Sequence, residues 1–314
     1  MRSQQRLGWL AVLVWGGAVA VAGCQGVEPV VTDPSFLTPG PGAVPPPAPL
    51  PAPSAPASDP GAPPATPPLP GAPPIPPPPP APRPARFIVL GDSIAACSNL
   101  GGKNDPDCSA GKLYDYLKVN YAPALTYENE AVGGAASADV VHWQLPRVKA
   151  GPGHAFVLVY VGGNDLARYL LSLDVSAERG FIETLPKVLT VWELIVAALE
   201  DQDRFPDGYT LLMNNQYNPF DDCTAAPYFM SERKNHLVGV FNDALAGFAE
   251  RKHALLADQY TPFLGHGHHH AVRACPHYRP DLTPYMGDLI HPNPAGHELL
   301  FRQWQALVDG HYGP

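Results

Sequence analysis

The rhythm of hydrophobic and polar positions changes twice along the 314-residue chain. Residues 7–22 form an unbroken apolar run, and residues 34–85 carry no period at all. From Arg86 onward, short apolar runs alternate with stretches whose apolar positions recur every three to four residues. The short runs predict strands at 87–90, 125–129, 156–161, 209–214 and 254–258, several of them bounded by Gly or Asn. The helical stretches are 114–119, 138–148, 232–252 with Ser231 as N-cap, and 296–308. A further long helical region follows the third strand, interrupted near Pro186 and surest over 188–199. Strands alternating with helices predict a parallel sheet of about five strands covered on both faces, an α/β three-layer sandwich. In such a sheet a ligand sits at the carboxyl ends of the strands.

The first apolar run has the anatomy of an export signal. Arg2 and Arg6 precede it, and its length of about sixteen residues is short for a membrane span. It ends in Val21-Ala22-Gly23-Cys24. A cysteine directly after a small-residue site resembles the lipobox of bacterial lipoproteins, which implies cleavage before Cys24 and lipidation of its thiol and new amine. Two or more acyl chains anchor stably where one does not. Ala18-Val19-Ala20 could instead serve as an ordinary cleavage site. Gln25 follows the cysteine with no Asp there, which by resemblance to Gram-negative lipoproteins points to the outer membrane, with the domain on its periplasmic or cell-surface side. Residues 1–23 are thus read as a lipoprotein signal peptide.

Composition explains the stretch without period. The chain contains 41 prolines, most of them before Arg86, interspersed with Ala, Gly and Ser. Such a segment cannot build a core and favours polyproline II. Residues 24–85 therefore read as a disordered stalk able to reach about 150 Å at ~3.1 Å per residue. The formal charge is −9 with no basic run, which argues against a nucleic-acid partner. Of five cysteines, Cys97, Cys108, Cys223 and Cys275 lie in the last 230 or so residues. In an exported protein they suggest two disulfides, with Cys97–Cys108 and Cys223–Cys275 as the favoured pairing because the first closes a short Gly/Asn/Asp-rich loop.

Four motifs fall where the chemistry of such a sheet belongs. Gly91-Asp92-Ser93-Ile94 ends the first predicted strand and projects a serine into the cleft. Asn129-Glu130-Ala131-Val132-Gly133-Gly134 follows the second, and a glycine there leaves an amide uncovered for a developing oxyanion. Gly162-Gly163-Asn164-Asp165 ends the third, with Asn164 a neutral amide donor and Asp165 a group that can satisfy loop amides. Asp288-Leu289-Ile290-His291-Pro292-Asn293 precedes the last helix, and its spacing lets a carboxylate meet an imidazole on one loop. Each is weak alone; their order and positions give them weight together.

These four blocks resemble blocks I, II, III and V of the SGNH hydrolases, also called GDSL esterases, over essentially all of residues 86–314. The resemblance implies a flavodoxin-like fold and a catalytic triad of Ser93, Asp288 and His291. It also implies an oxyanion hole from the amides of Ser93 and Gly134 and the side chain of Asn164. Gly134 is preferred over Gly133 because the family glycine falls five positions after the block II asparagine. Ala95 departs from the larger or more polar residue of many members. The implied activity is hydrolysis of carboxylic esters of short- to medium-chain acyl groups or lipids, without cofactor or metal, by a monomer. Two alternatives stand beside it: an O-acetylesterase acting on polysaccharide or peptidoglycan, and an idle binding protein on the same fold. His266, His268, His269 and His270 read as a solvated loop rather than a metal site, since no ligand set surrounds them. Trp143, Tyr160 and Tyr217 read as core aromatics, and residues 218–222 as a loop facing the cleft.

Overall fold

The computed structural model describes residues 14–15, 18–19, 80–170, 176–225 and 232–313. The chain divides into two units, residues 1–73 and 74–314. In the first, Val14–Trp15 pairs antiparallel with Ala18–Val19. Cys24, most of the signal segment, the stalk up to residue 79 and Ser231 lie outside the described residues.

In the second unit five parallel strands form one sheet: β1 Arg86–Gly91, β2 Thr126–Asn129, β3 Ala155–Tyr160, β4 Tyr209–Asn214 and β5 Leu255–Ala257, ordered β2-β1-β3-β4-β5. Each strand falls within two residues of its predicted position. Between and after them run helices α1 Ser109–Asn120, α2 Ser137–Asp139, α3 Gly163–Leu170, α4 Ala177–Leu199, α5 Glu232–Arg251, α6 Tyr260–Phe263 and α7 Pro294–Tyr312. Side chains alternate between two cores because successive residues of a strand face opposite ways. Phe87, Val89, Phe156, Leu158 and Tyr160 face α1 and α7, meeting Leu113, Leu117, Leu300 and Trp304. Ile88, Leu90, Val157, Val159 and Met213 face the other layer, with Trp192, Phe241 and Phe248. That layer holds α3, α4 and α5. The expected three-layer α/β/α sandwich is the observed fold. Chain order reverses between β1 and β3, so the crevice at their carboxyl ends is the natural ligand site.

Three expectations need correction. Pro186 does not interrupt the long helix; it lies inside α4. The carbonyl it leaves without a donor belongs to Ile182, which is exposed, so water can satisfy it. The stretch 138–148 is not one α-helix: α2 runs into a π-helical turn, Val140–Gln144, and then a 3-10 turn, Leu145–Arg147. Pro146 has no N–H with which to continue an α-helical ladder through that stretch. The folded unit also begins ahead of Arg86. Ala81 packs on the core, Ala85 N–H donates to His154 O at 2.9 Å, and the Arg83 guanidinium lies 4.9 Å from the Tyr121 ring centre and 5.5 Å from that of Tyr312. Both disulfides form as expected, Cys97–Cys108 and Cys223–Cys275.

Candidate active site

Ser93 stands two residues past the end of β1. The turn that carries it is set by Gly91, where an added Cβ would lie 2.0 Å from the carbonyl oxygen of Tyr160 on β3. No other residue fits so close to the neighbouring strand. The buried Gln144 side chain clamps the same glycine from the π-helical turn: its Oε1 accepts from Gly91 N–H at 2.7 Å and its Nε2 donates to Gly91 O at 2.8 Å. Asp92 follows, almost wholly buried, with Oδ1 accepting from Ile94 N–H at 2.9 Å. Burial pushes its carboxyl up to about 7, with Asp165 nearby adding to the shift.

His291 reaches this serine from a loop 198 residues away in sequence. Its Nε2 is 2.8 Å from Ser93 Oγ, and its Nδ1 is 2.7 Å from Asp288 Oδ2. The other oxygen of Asp288, Oδ1, accepts from Ile290 N–H at 2.9 Å and His291 N–H at 2.8 Å. Partial burial opposes ionisation of Asp288, but those two amides and the His291 ring outweigh it and hold the carboxyl below the usual range. The loop ends at α7, whose N-cap Asn293 accepts from Gly296 N–H at 3.0 Å, with Pro294 opening the helix.

The two loops are also tied beneath the site. Asn99 Nδ2 donates to Pro292 O, and the buried His297 of α7 places Nδ1 3.0 Å from Ser109 Oγ at the start of α1. Burial lowers His297 to about 4, keeping its ring neutral. Cys97–Cys108 joins the serine loop to the same end of α1.

Asn164, at the start of α3, lines the same cavity as Ser93 and His291. One of its amide hydrogens goes to Ala135 O at 2.9 Å, which leaves a second. Asp165 does what loop carboxylates do: its Oδ2 accepts from Ser137 N–H and Ser137 Oγ, both at 2.9 Å. Gly134 has φ +82° and open space where a side chain would stand, whereas a Cβ on Gly133 would come 3.9 Å from Ser93 Cβ. The cavity itself, about 90 Å³, is walled largely by Leu166, Ala167, Leu170, Phe220 and Ile290. Pro219 and Phe220 are in that wall, so the loop 218–222 faces the cleft as expected.

Beyond the glycines lies a second cavity of about 280 Å³ bounded by Asp139, Trp143 and Arg147. Trp143 is 62% exposed and is a surface residue rather than the core aromatic expected. Tyr160 is buried as expected, and Tyr217 lines the first cavity. Local sequence pattern carries no sign of Gln144, Asn99 or His297, because each acts on backbone or side chains far along the chain.

A hydroxyl bonded to an imidazole that is backed by an ionised carboxylate can lose its proton as it attacks an electrophilic carbon. Proteins of known structure share the fold. A lipase from a goat rumen metagenome superposes with a TM-score of 0.53 at 17% identity, over 73% of this chain and 98% of its own. The extracellular lipase of Streptomyces rimosus gives 0.51 at 18%, over 72% and 99%. A mutant of the acetyl-xylooligosaccharide esterase Axe2 from Geobacillus gives 0.50 at 16%, over 73% and 94%. At such identities the likeness is one of fold. No curated protein matches the sequence. The model of one sequence family spans residues 89–299, from the middle of β1 into α7 and across all four motifs. The chain belongs to the GDSL-like lipase/acylhydrolase family and is an ester hydrolase of that family.

Proposed function

We propose that the chain hydrolyses short- to medium-chain carboxylic esters through an acyl-enzyme on Ser93. The observation that carries this reading is the continuous path from Ser93 Oγ through the His291 ring to Asp288, at 2.8 and 2.7 Å. His291 Nε2 takes the hydroxyl proton as Oγ attacks the ester carbon, and the carbonyl electrons move to oxygen. Asp288 stabilises the imidazolium. The amides of Ser93 and Gly134 and the free amide hydrogen of Asn164 bind the oxyanion. The tetrahedral adduct collapses, His291 returns the proton to the departing alcohol, and water repeats the cycle on the acyl-serine. The apolar wall of Leu166, Leu170 and Phe220 favours an acyl chain of several carbons over acetyl.

A second reading, a carbohydrate O-acetylesterase, draws on Trp143. Its exposed ring beside Arg147 and Asp139 could stack on a sugar while the charged groups meet hydroxyls. Hydrolysis of p-nitrophenyl esters from C2 to C12, set beside acetylated xylan, separates the two. Ser93→Ala is expected to lose roughly 10³- to 10⁶-fold in kcat. An active Ser93→Ala protein, or a wild type that turns over no ester, would rule out the acyl-serine route.

We further propose that a lipid on Cys24 anchors the enzyme to the outer membrane, with residues 25–79 as spacer. The support is the sequence Val21-Ala22-Gly23-Cys24 behind the apolar run. Cys24→Ser should abolish labelling by a palmitate analogue and move the protein from the membrane to the soluble fraction. A variant that still fractionates with membranes would remove the anchor from the reading.

A further inference from the structure

The segment His266-Gly267-His268-His269-His270 is not the solvated loop its composition suggests. His269 is buried, and the His266 ring stacks on Tyr285 at 3.8 Å. Three of its imidazoles set one nitrogen against a backbone carbonyl: His266 on Thr283 at 2.7 Å, His269 on Phe220 at 3.1 Å, His270 on Gly267 at 2.9 Å. Carbonyl oxygens only accept, so those nitrogens carry protons and are closed to a metal ion. His268 differs in what it holds. Its Nε2 lies 2.9 Å from Asp288 O and 3.2 Å from Leu289 O, the first two peptide groups of the Asp288–His291 turn.

We propose that His268 is a positioning residue for ester hydrolysis, fixing the backbone of the Asp288–His291 turn so that the Asp288 carboxylate faces His291; this rests on the triad reading above. The Asp288 side chain is 51% exposed, so packing does not set its direction. Its direction is set by the turn, through the bonds from Ile290 and His291 N–H to Oδ1. The carbonyls of that turn are held in series: His268 takes 288 and 289, and the Tyr217 hydroxyl donates to Ile290 O.

An exposed histidine can brace another loop only if its own backbone is rigid, and this one is. His268 N–H donates to Pro219 O at 2.8 Å. On both sides the chain is gripped by the buried Asp221 carboxylate, whose Oδ1 accepts from Gly265 and Gly267 N–H at 2.9 and 2.8 Å and whose Oδ2 accepts from His269 N–H at 3.0 Å. The approach is so close that a Cβ on Gly267 would lie 2.5 Å from Pro219 O. Cys223–Cys275 bolts the same two segments together.

The test uses the full chain and p-nitrophenyl butyrate. His268→Ala is expected to lower kcat about ten-fold with KM changed less than about two-fold, a loss of alignment rather than of binding. The melting temperature should hold, and His268→Gln, whose amide can still donate to a carbonyl, should recover most of kcat. In an Asp288→Ala background His268→Ala should cost nothing further, because there is no carboxylate left to aim. Unchanged kcat in His268→Ala beside a dead Ser93→Ala would overturn the brace and leave the triad standing. An equal loss with and without Asp288 would overturn it as well. A Ser93→Ala protein that keeps its activity would remove the triad reading and the brace with it.

Discussion

Asp92 sits between the strand and Ser93, and its carboxyl is raised by burial to about 7. An unfolded chain ionises the same group near its ordinary value, 3.8. The folded state therefore holds the proton more tightly, and the stability this adds is full below the unfolded value and is lost as pH rises toward about 7. Asp92→Asn keeps an oxygen for Ile94 N–H and removes the titration. The stability of the wild type relative to Asp92→Asn should fall from about pH 4 to about pH 7 and level off above. Urea unfolding of both proteins across that range measures it; a difference that stays flat would place the Asp92 proton elsewhere. His297 slopes the other way, being held neutral, so only the comparison with the variant isolates Asp92.

At the scale of elements, what could be read in the sequence and what could not divide along a physical line. Ala155–Tyr160 is buried at every position, and a continuous β-branched and aromatic run bounded by glycines leaves little alternative to a central strand. The four motifs are legible because the turns after β1, β2 and β3 and before α7 demand particular residues at short spacing. Pro186 misleads because a proline signals a break only where the freed carbonyl has no water to turn to. The histidine loop misleads for another reason: five polar or small residues in a row look solvated, and nothing local shows Asp221, 44 to 48 residues away, gathering their amides. Gln144 is equally hidden, since its partner Gly91 lies 53 residues off. Long-range side-chain to backbone bonds are what periodicity does not encode.

For the whole molecule, the docking of Ala81, Arg83 and Ala85 extends the folded unit past the point where proline-rich composition ends. Arg83 lies over two tyrosine rings at the base of the sheet, an arrangement worth about 0.5–1 kcal/mol at an exposed site. A chain beginning at residue 80 should therefore melt about 1–4 °C above one beginning at residue 86. Calorimetry of the two decides it, and Arg83→Ala in the longer chain should remove most of the gap. Equal melting temperatures would mean that these residues lie on the surface without stabilising it.

Residues 80–86 join the sheet at the amino end of β1, and Ser93 stands beyond its carboxyl end. Consider a pull on that amino end directed along the axis of β1. That strand is bonded in parallel register to β2 on one side and β3 on the other, so its ladder would be loaded in shear and its bonds would share the force rather than unzip in turn. The Arg83 and Ala85 contacts would take up slack first. Under such a pull, the strand that would bear the load is also the one that leads into Ser93, and the cleft lies at its far, carboxyl end.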